Sequence, residues 1–125
     1  MVIGFSLGAA LAATMLLRPG QLGQAPVKSL VFLSGTLPAD WQELQGGTTR
    51  FMQAIDVKTV IQIPSVHAWD DGDVEHPGEA EQLLLMCGKK SRRVVRHSAG
   101  HGIPSRGSEV AAIASAIKDM VAELA

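Results

Sequence analysis

The feature that most constrains this chain is Gly4-Phe5-Ser6-Leu7-Gly8, a G-x-S-x-G run set between an apolar stub and a strong helix former. Met1-Val2-Ile3 reads as the end of a buried strand, and Ala9 to Leu17 as a helix whose small residues suit close contact with a sheet. A strand that turns sharply into a helix at such a run forms a nucleophile elbow. It holds the serine in a strained backbone conformation with Oγ thrust above the sheet. The spacing has a steric rationale. Side chains two residues either side of the serine point into the crowded inside of the turn, so Gly4 and Gly8 are both expected to be there for want of a Cβ. The Leu7 N–H, at the positive end of the helix, is the candidate donor to an oxyanion. An elbow of this kind needs an acid and then a histidine downstream.

The apolar start has two rival readings. A secretory leader carries basic residues ahead of its apolar run, whereas the first basic residue here is Arg18, behind it. A membrane span takes about 20 apolar residues, and this run is shorter and interrupted by Gly4 and Gly8.

Composition narrows the class. A chain of 125 residues reads as one domain spanning 1–125. With 46% hydrophobic residues it has the material for a buried core. A net charge of −1 gives no reason to expect nucleic acid or an anionic membrane as partner. The single cysteine, Cys87, has no internal partner for a disulfide, which fits a reducing, cytoplasmic setting. It closes the apolar run Leu83-Leu84-Leu85-Met86-Cys87 and reads as a buried thiol on a helical face.

Further along, Arg18 to Pro26 is a loop by its Pro and Gly content, and Val27 to Gly35 a buried strand of the continuous apolar kind found in parallel sheets. Pro38 to Leu44 can open a short helix that Gly46-Gly47 breaks, and the stretch 36–56 is where a lid or substrate wall is expected. Ser65 to Trp69 is the next strand, with Pro64 at its entrance. Asp70-Asp71-Gly72-Asp73 makes a tight acidic turn, and His76-Pro77-Gly78-Glu79 opens a helix through Cys87. Ser91 to Arg96 is a last, partly exposed strand. After the loop His97 to Pro104, a final amphipathic helix runs to Leu124, capped by Ser105 or Ser108. The alternation of strands and helices argues a parallel sheet covered by helices, an α/β fold.

In such a sheet every strand delivers its C-terminal end to one edge, where ligands bind. Ser6, the acidic turn and the histidine loop therefore meet there despite their separation in sequence. The order Ser, Asp, His is that of α/β-hydrolases. Ser6 is the candidate nucleophile, His101 the base, and Asp73 the acid in preference to Asp70 and Asp71. His97 and His101 have the i, i+4 spacing of zinc ligands, but Gly100, Gly102 and Pro104 argue against a helix there. Neither a metal nor a cofactor is expected. His67, inside an apolar strand, reads as a hydrogen-bonded core histidine, and His76 as a helix-entry residue.

Three motifs together carry a family resemblance: Gly4-Phe5-Ser6-x-Gly8-Ala9, then Pro64-Ser65-Val66-His67 running into Asp73, then His97-x-x-Gly100-His101-x-x-Pro104. In this order, and over nearly the whole chain, they resemble the fungal serine hydrolase (FSH) family. The resemblance implies an α/β-hydrolase fold and cleavage of an ester or thioester by Ser6, Asp73 and His101. Some members of the family are trans-acting esterases or thioesterases beside fungal polyketide synthases, so a small-molecule or carrier-bound acyl substrate follows from the same likeness. Two positions depart from the pattern: Leu7 stands where the family commonly has Gln, and Asp70 where it has Gly. In the family, strands and a second oxyanion donor precede the elbow. The chain thus resembles the C-terminal portion of such a domain, from a truncated reading frame or a remnant. Its elbow strand is expected to present an apolar edge, to be covered by an N-terminal segment or a second copy.

Overall fold

The computed structural model describes residues 1–20 and 26–124. Residues 21–25, within the loop expected after the first helix, lie outside the described residues, as does Ala125. Val2–Phe5 (β1), Leu30–Leu33 (β2), Ser65–Trp69 (β3) and Arg92–Arg96 (β4) form a parallel sheet in the order β1-β2-β3-β4. In register, Ile3 stands beside Val31, Val31 beside Val66, and Val66 beside Arg93. The central strands are buried along nearly their whole length; β2 is accordingly an unbroken apolar run, while β3 buries Ser65 and His67 among its apolar residues. β4, at the far edge, mixes half-buried and exposed residues.

Strand order explains where the helices go. Parallel strands laid down one after another, with right-handed crossovers, place every connecting helix on the same face. Helices α1 (Leu7–Leu16), α2 (Trp41–Gln45) and α3 (Glu79–Leu85) lie in these crossovers. Ala9, Ala13 and Leu16 of α1 and Leu83 of α3 pack with Leu30, Phe32, Ile61 and Met86 in one buried cluster. Helix α4 (Gly107–Glu123) follows the last strand and folds onto the opposite face. There Met120, with Ala116 and Ile117, meets Val31 and Val66. Positions 113, 116, 117 and 120 form the 3.6-periodic stripe of its apolar face.

Several local details differ from expectation. Asp40 caps α2, accepting the Glu43 N–H at 3.0 Å. Helix α3 starts only at Glu79, because Gly78 before it takes a left-handed conformation (φ 76°). It ends at Leu85, so Cys87 lies beyond it, bridged to Ile61, though buried as expected. Neither Ser105 nor Ser108 caps α4. Arg106 occupies that position without a side-chain bond. No helix among the described residues is long and apolar enough to cross a membrane.

Candidate active site

The end of β1 enters α1 through Ser6, whose backbone sits at φ 52°, ψ −118°, outside helix and strand space. Its N–H donates to Leu33 O, and its own carbonyl accepts from Ala9 and Ala10 N–H, so bonds on both sides impose the conformation. The two glycines of the motif have different reasons to be there. A Cβ on Gly4 would lie 2.7 Å from the backbone of Ala9, closer than any real contact. One on Gly8 would meet nothing within 4 Å. Only Gly4 is needed to bring strand and helix together. Gly8 faces outward from the turn, contrary to the symmetric steric reading.

Ser6 Oγ lies 2.7 Å from His101 Nε2, and His101 Nδ1 lies 2.7 Å from Asp73 Oδ2. The tautomer follows from the partners. A carboxylate only accepts, so Nδ1 carries the proton, which leaves Nε2 of the neutral ring to accept from the serine hydroxyl. Asp73 Oδ1 meanwhile accepts the N–H groups of Glu75 and His76, both at 2.9 Å. Burial works against the charge on Asp73. The His76 amide, the His101 imidazole and the Glu75 amide outweigh it and hold the carboxyl below its usual range.

The three aspartates of the acidic turn thus have separate partners. Asp73 faces His101. Asp71 accepts from Trp69 Nε1 and pairs with Arg96 at the surface. Asp70 bonds only backbone: Oδ1 takes the Gly72 N–H at 2.7 Å and Oδ2 the Gly100 N–H at 2.8 Å.

Other histidines divide as clearly. His67 is buried in β3 against Phe32, with Nε2 2.9 Å from Ser65 Oγ. Burial, aided by the nearby Arg92 guanidinium, pushes its pKa down to about 3, so it is a neutral core residue. His97 Nδ1 accepts the Ala99 N–H, and its buried Nε2 has no hydrogen-bond partner among the described residues. His76 does enter α3, with Nδ1 2.7 Å from Glu79 Oε2, but its ring also lies 4.5 Å from that of His101. That contact was not readable from sequence. The Phe5 ring also stands 6.0 Å from that of His101.

Leu7 N–H is the first amide of α1, one of those a helix cannot satisfy internally, and it adjoins Ser6. The stretch 36–56 behaves otherwise than a wall over the site. Thr36 Oγ1 donates to Ser6 O, but the chain then folds back along α1, where Ala39 N–H donates to Thr14 Oγ1. Trp41, Met52 and Asp56 line a cavity of about 780 Å³ with Leu17 and Arg18, at the opposite end of α1 from Ser6.

A parallel α/β sheet with a serine elbow facing a histidine and an aspartate at its C-terminal edge defines the serine hydrolase class. Residues 1–113 match the family described as serine hydrolase (FSH1), and the chain belongs to that family. It is 31% identical to the esterase FPY3 of Fusarium mangiferae over 106 residues, 82% of this chain and 47% of that protein. It is 30% identical to a probable esterase of Aspergillus terreus, over 95% of this chain and 51% of that protein. The chain therefore spans about half the length of these relatives. In fold it is similar to a fungal esterase structure from Rhizomucor miehei, with a TM-score of 0.56 and 16% identity, covering 94% of this chain and 49% of that one.

Proposed function

We propose that the chain carries the catalytic triad of an esterase or thioesterase, with Ser6 as nucleophile, His101 as base and Asp73 as acid. The observation behind this reading is the unbroken relay of two 2.7 Å contacts from Ser6 Oγ through His101 to Asp73 Oδ2. In the proposed reaction Ser6 Oγ attacks the substrate carbonyl while His101 Nε2 takes its proton. The same proton passes to the departing alcohol or thiol, which leaves an acyl-Ser6 ester. Water, deprotonated by His101, then releases the acid. Asp73 keeps the proton on Nδ1 and stabilises the imidazolium, and Leu7 N–H donates to the tetrahedral oxyanion.

The relatives named as esterases favour an ester or thioester as substrate. The family resemblance extends the proposal to a trans-acting role on a small or carrier-bound acyl chain in fungal polyketide (secondary metabolite) biosynthesis. A cytoplasmic location goes with it, in keeping with the single buried thiol of Cys87. A second reading rests on the uncovered apolar side chains of β1 and α1. In it the site becomes competent only when another segment of a longer protein, or a second copy, covers that side and adds an oxyanion donor.

A fluorophosphonate probe tests the first reading, because it reacts with an activated serine and not with an ordinary one. Intact mass of the treated 125-residue chain should show one adduct that maps to Ser6 and disappears in Ser6→Ala. A well-folded chain without an adduct would overturn autonomous catalysis and leave the partner-dependent reading. Hydrolysis of N-acetylcysteamine thioesters in preference to aryl esters would support carrier-bound substrates.

A further inference from the structure

His101 lies in a loop with no regular structure, between two glycines, yet its ring must hold both Ser6 and Asp73 at hydrogen-bonding distance. Something other than a helix or strand fixes it. Gly100, immediately before it, takes a left-handed conformation (φ 62°) and donates its N–H to Asp70 Oδ2 at 2.8 Å. Gly102, immediately after it, accepts from Ser34 Oγ at 2.8 Å. Asp70 is the residue after β3, and Ser34 the residue after β2.

We propose that Asp70 and Ser34 are positioning residues that clamp the histidine loop from its two sides and so set the reach of His101 to Ser6 and Asp73. The inference rests on the triad reading above.

Each half of the clamp does more than anchor a loop. Asp70 also shapes the acidic turn: its carbonyl accepts the Asp73 N–H at 3.0 Å, and Oδ1 accepts the Gly72 N–H at 2.7 Å. One side chain therefore ties the backbone that carries the acid to the backbone that carries the base. A shorter or uncharged residue would leave the two loops to drift independently. The two amides that Asp70 holds, Gly72 first and Gly100 second, also keep its carboxyl below the usual range, so it remains a charged acceptor at neutral pH.

Ser34 is fully buried and, with Ser6, is one of two non-glycine residues at positive φ among those described (46° at Ser34). Its N–H donates to Ala68 O. Strain of this kind persists only where surroundings over-determine it, and here it turns the hydroxyl upward to Gly102. Asp71, a neighbour with ties only to Trp69 and Arg96, has no part in the clamp.

The experiment reads the clamp in two independent ways on Asp70→Asn, Asp70→Ala, Ser34→Ala and the control Asp71→Asn. The first readout is the far-downfield NMR resonance of the His101 Nδ1 proton, assigned by its loss in His101→Gln. The second is the rate of fluorophosphonate labelling of Ser6, separated into probe affinity and maximal rate. In the clamp variants the resonance should broaden or move upfield. The maximal labelling rate should fall about 10-fold for each change, in line with the steep cost of small misplacements, with affinity nearly constant. Asp71→Asn should match the parent chain. Asp70→Asn keeps one acceptor oxygen and near-identical shape, and it decides the matter if Asp70→Ala does not fold. Unchanged resonance and labelling in Asp70→Asn and Ser34→Ala would overturn the clamp. A parent chain with the resonance but no labelling would sink the catalytic reading while the resonance still judges the clamp. A parent chain with no such resonance would remove the His101–Asp73 bond and the clamp with it.

Discussion

On one face of the sheet, α1 and α3 press Ala9, Ala13 and Leu83 onto Leu30 and Phe32 in a continuous core. On the other, α4 reaches β3, β4 and Val31 of β2, while Ile3 of β1, in register with Val31, remains 56% exposed. The difference follows from chain order, since the crossover helices all fall on the first face and α4 alone serves the second. The site straddles this asymmetry. Ser6 hangs from the elbow that packs into the finished face, whereas Phe5, one residue earlier, points to the bare one beside His101. The serine is thus held by the packed face of the sheet.

If the first face carries the stability, a cavity there should be the most damaging change outside the site. Phe32 is 1% exposed and lies at the centre of that cluster. Phe32→Ala should cost about 3–5 kcal/mol, a large part of what a small domain has. Urea unfolding followed by circular dichroism measures it. A loss below about 1 kcal/mol, well short of that expectation, would mean that the two faces share the load and the contrast is wrong.

Acid should weaken the same face through His67, which is in register with Phe32. Its folded pKa is depressed to about 3 by burial first and Arg92 second. The unfolded chain binds this proton near pH 6.5 and the folded chain does not, so its contribution is complete above about pH 6.5 and falls as pH drops towards the folded value. Asp70 and Asp73, whose carboxyls are held low, add to the loss only further down, below the ordinary carboxylate range. Between pH 7 and 5 the parent chain should therefore lose about 2 kcal/mol more stability than His67→Asn. Parallel urea midpoints in the two proteins would show that His67 is not held neutral by the fold.

How much of this was legible beforehand depended on how local the cause was. The elbow, the strands at Leu30–Leu33 and Ser65–Trp69, and the acidic turn announce themselves because a few consecutive residues determine each. Of the three aspartates it is Asp73 that lies 2.7 Å from His101 Nδ1, and the sheet edge that carries the whole acidic turn there does not by itself separate it from Asp70 and Asp71. The specific job of Asp70 was not legible, because its partner Gly100 is 30 residues away. Nor was that of Ser34, whose partner is 68 residues away. Both contacts exist only once β2, β3 and the loop after β4 lie side by side. Gly8 misled for a related reason. The motif treats its two glycines alike, but only Gly4 faces Ala9 across the turn. Residues 36–56 carry no periodic pattern because their backbone is satisfied piecemeal by Thr14, Glu79 and Gln82 side chains.

The smallest effect on stability should come from the exposed apolar residues at the β1 edge, carried by β1 and α1. Ile3 is exposed on β1, and Leu7, Leu11 and Met15 repeat at every fourth residue of α1, all exposed on one helical face. A side chain already in water gives up little on becoming polar, so Ile3→Ser combined with Leu11→Gln should change unfolding free energy by less than about 0.5 kcal/mol per site. What should change is association. Exposed apolar side chains beside a strand edge that has no partner among the described residues favour contact with another chain. Sedimentation at rising concentration should show self-association in the parent chain and less of it in the double variant. A large loss of stability in that variant would mean that these residues are already packed within one chain. The apolar residues at the β1 edge would then not be uncovered, and the proposed covering segment or second copy would have nothing to cover.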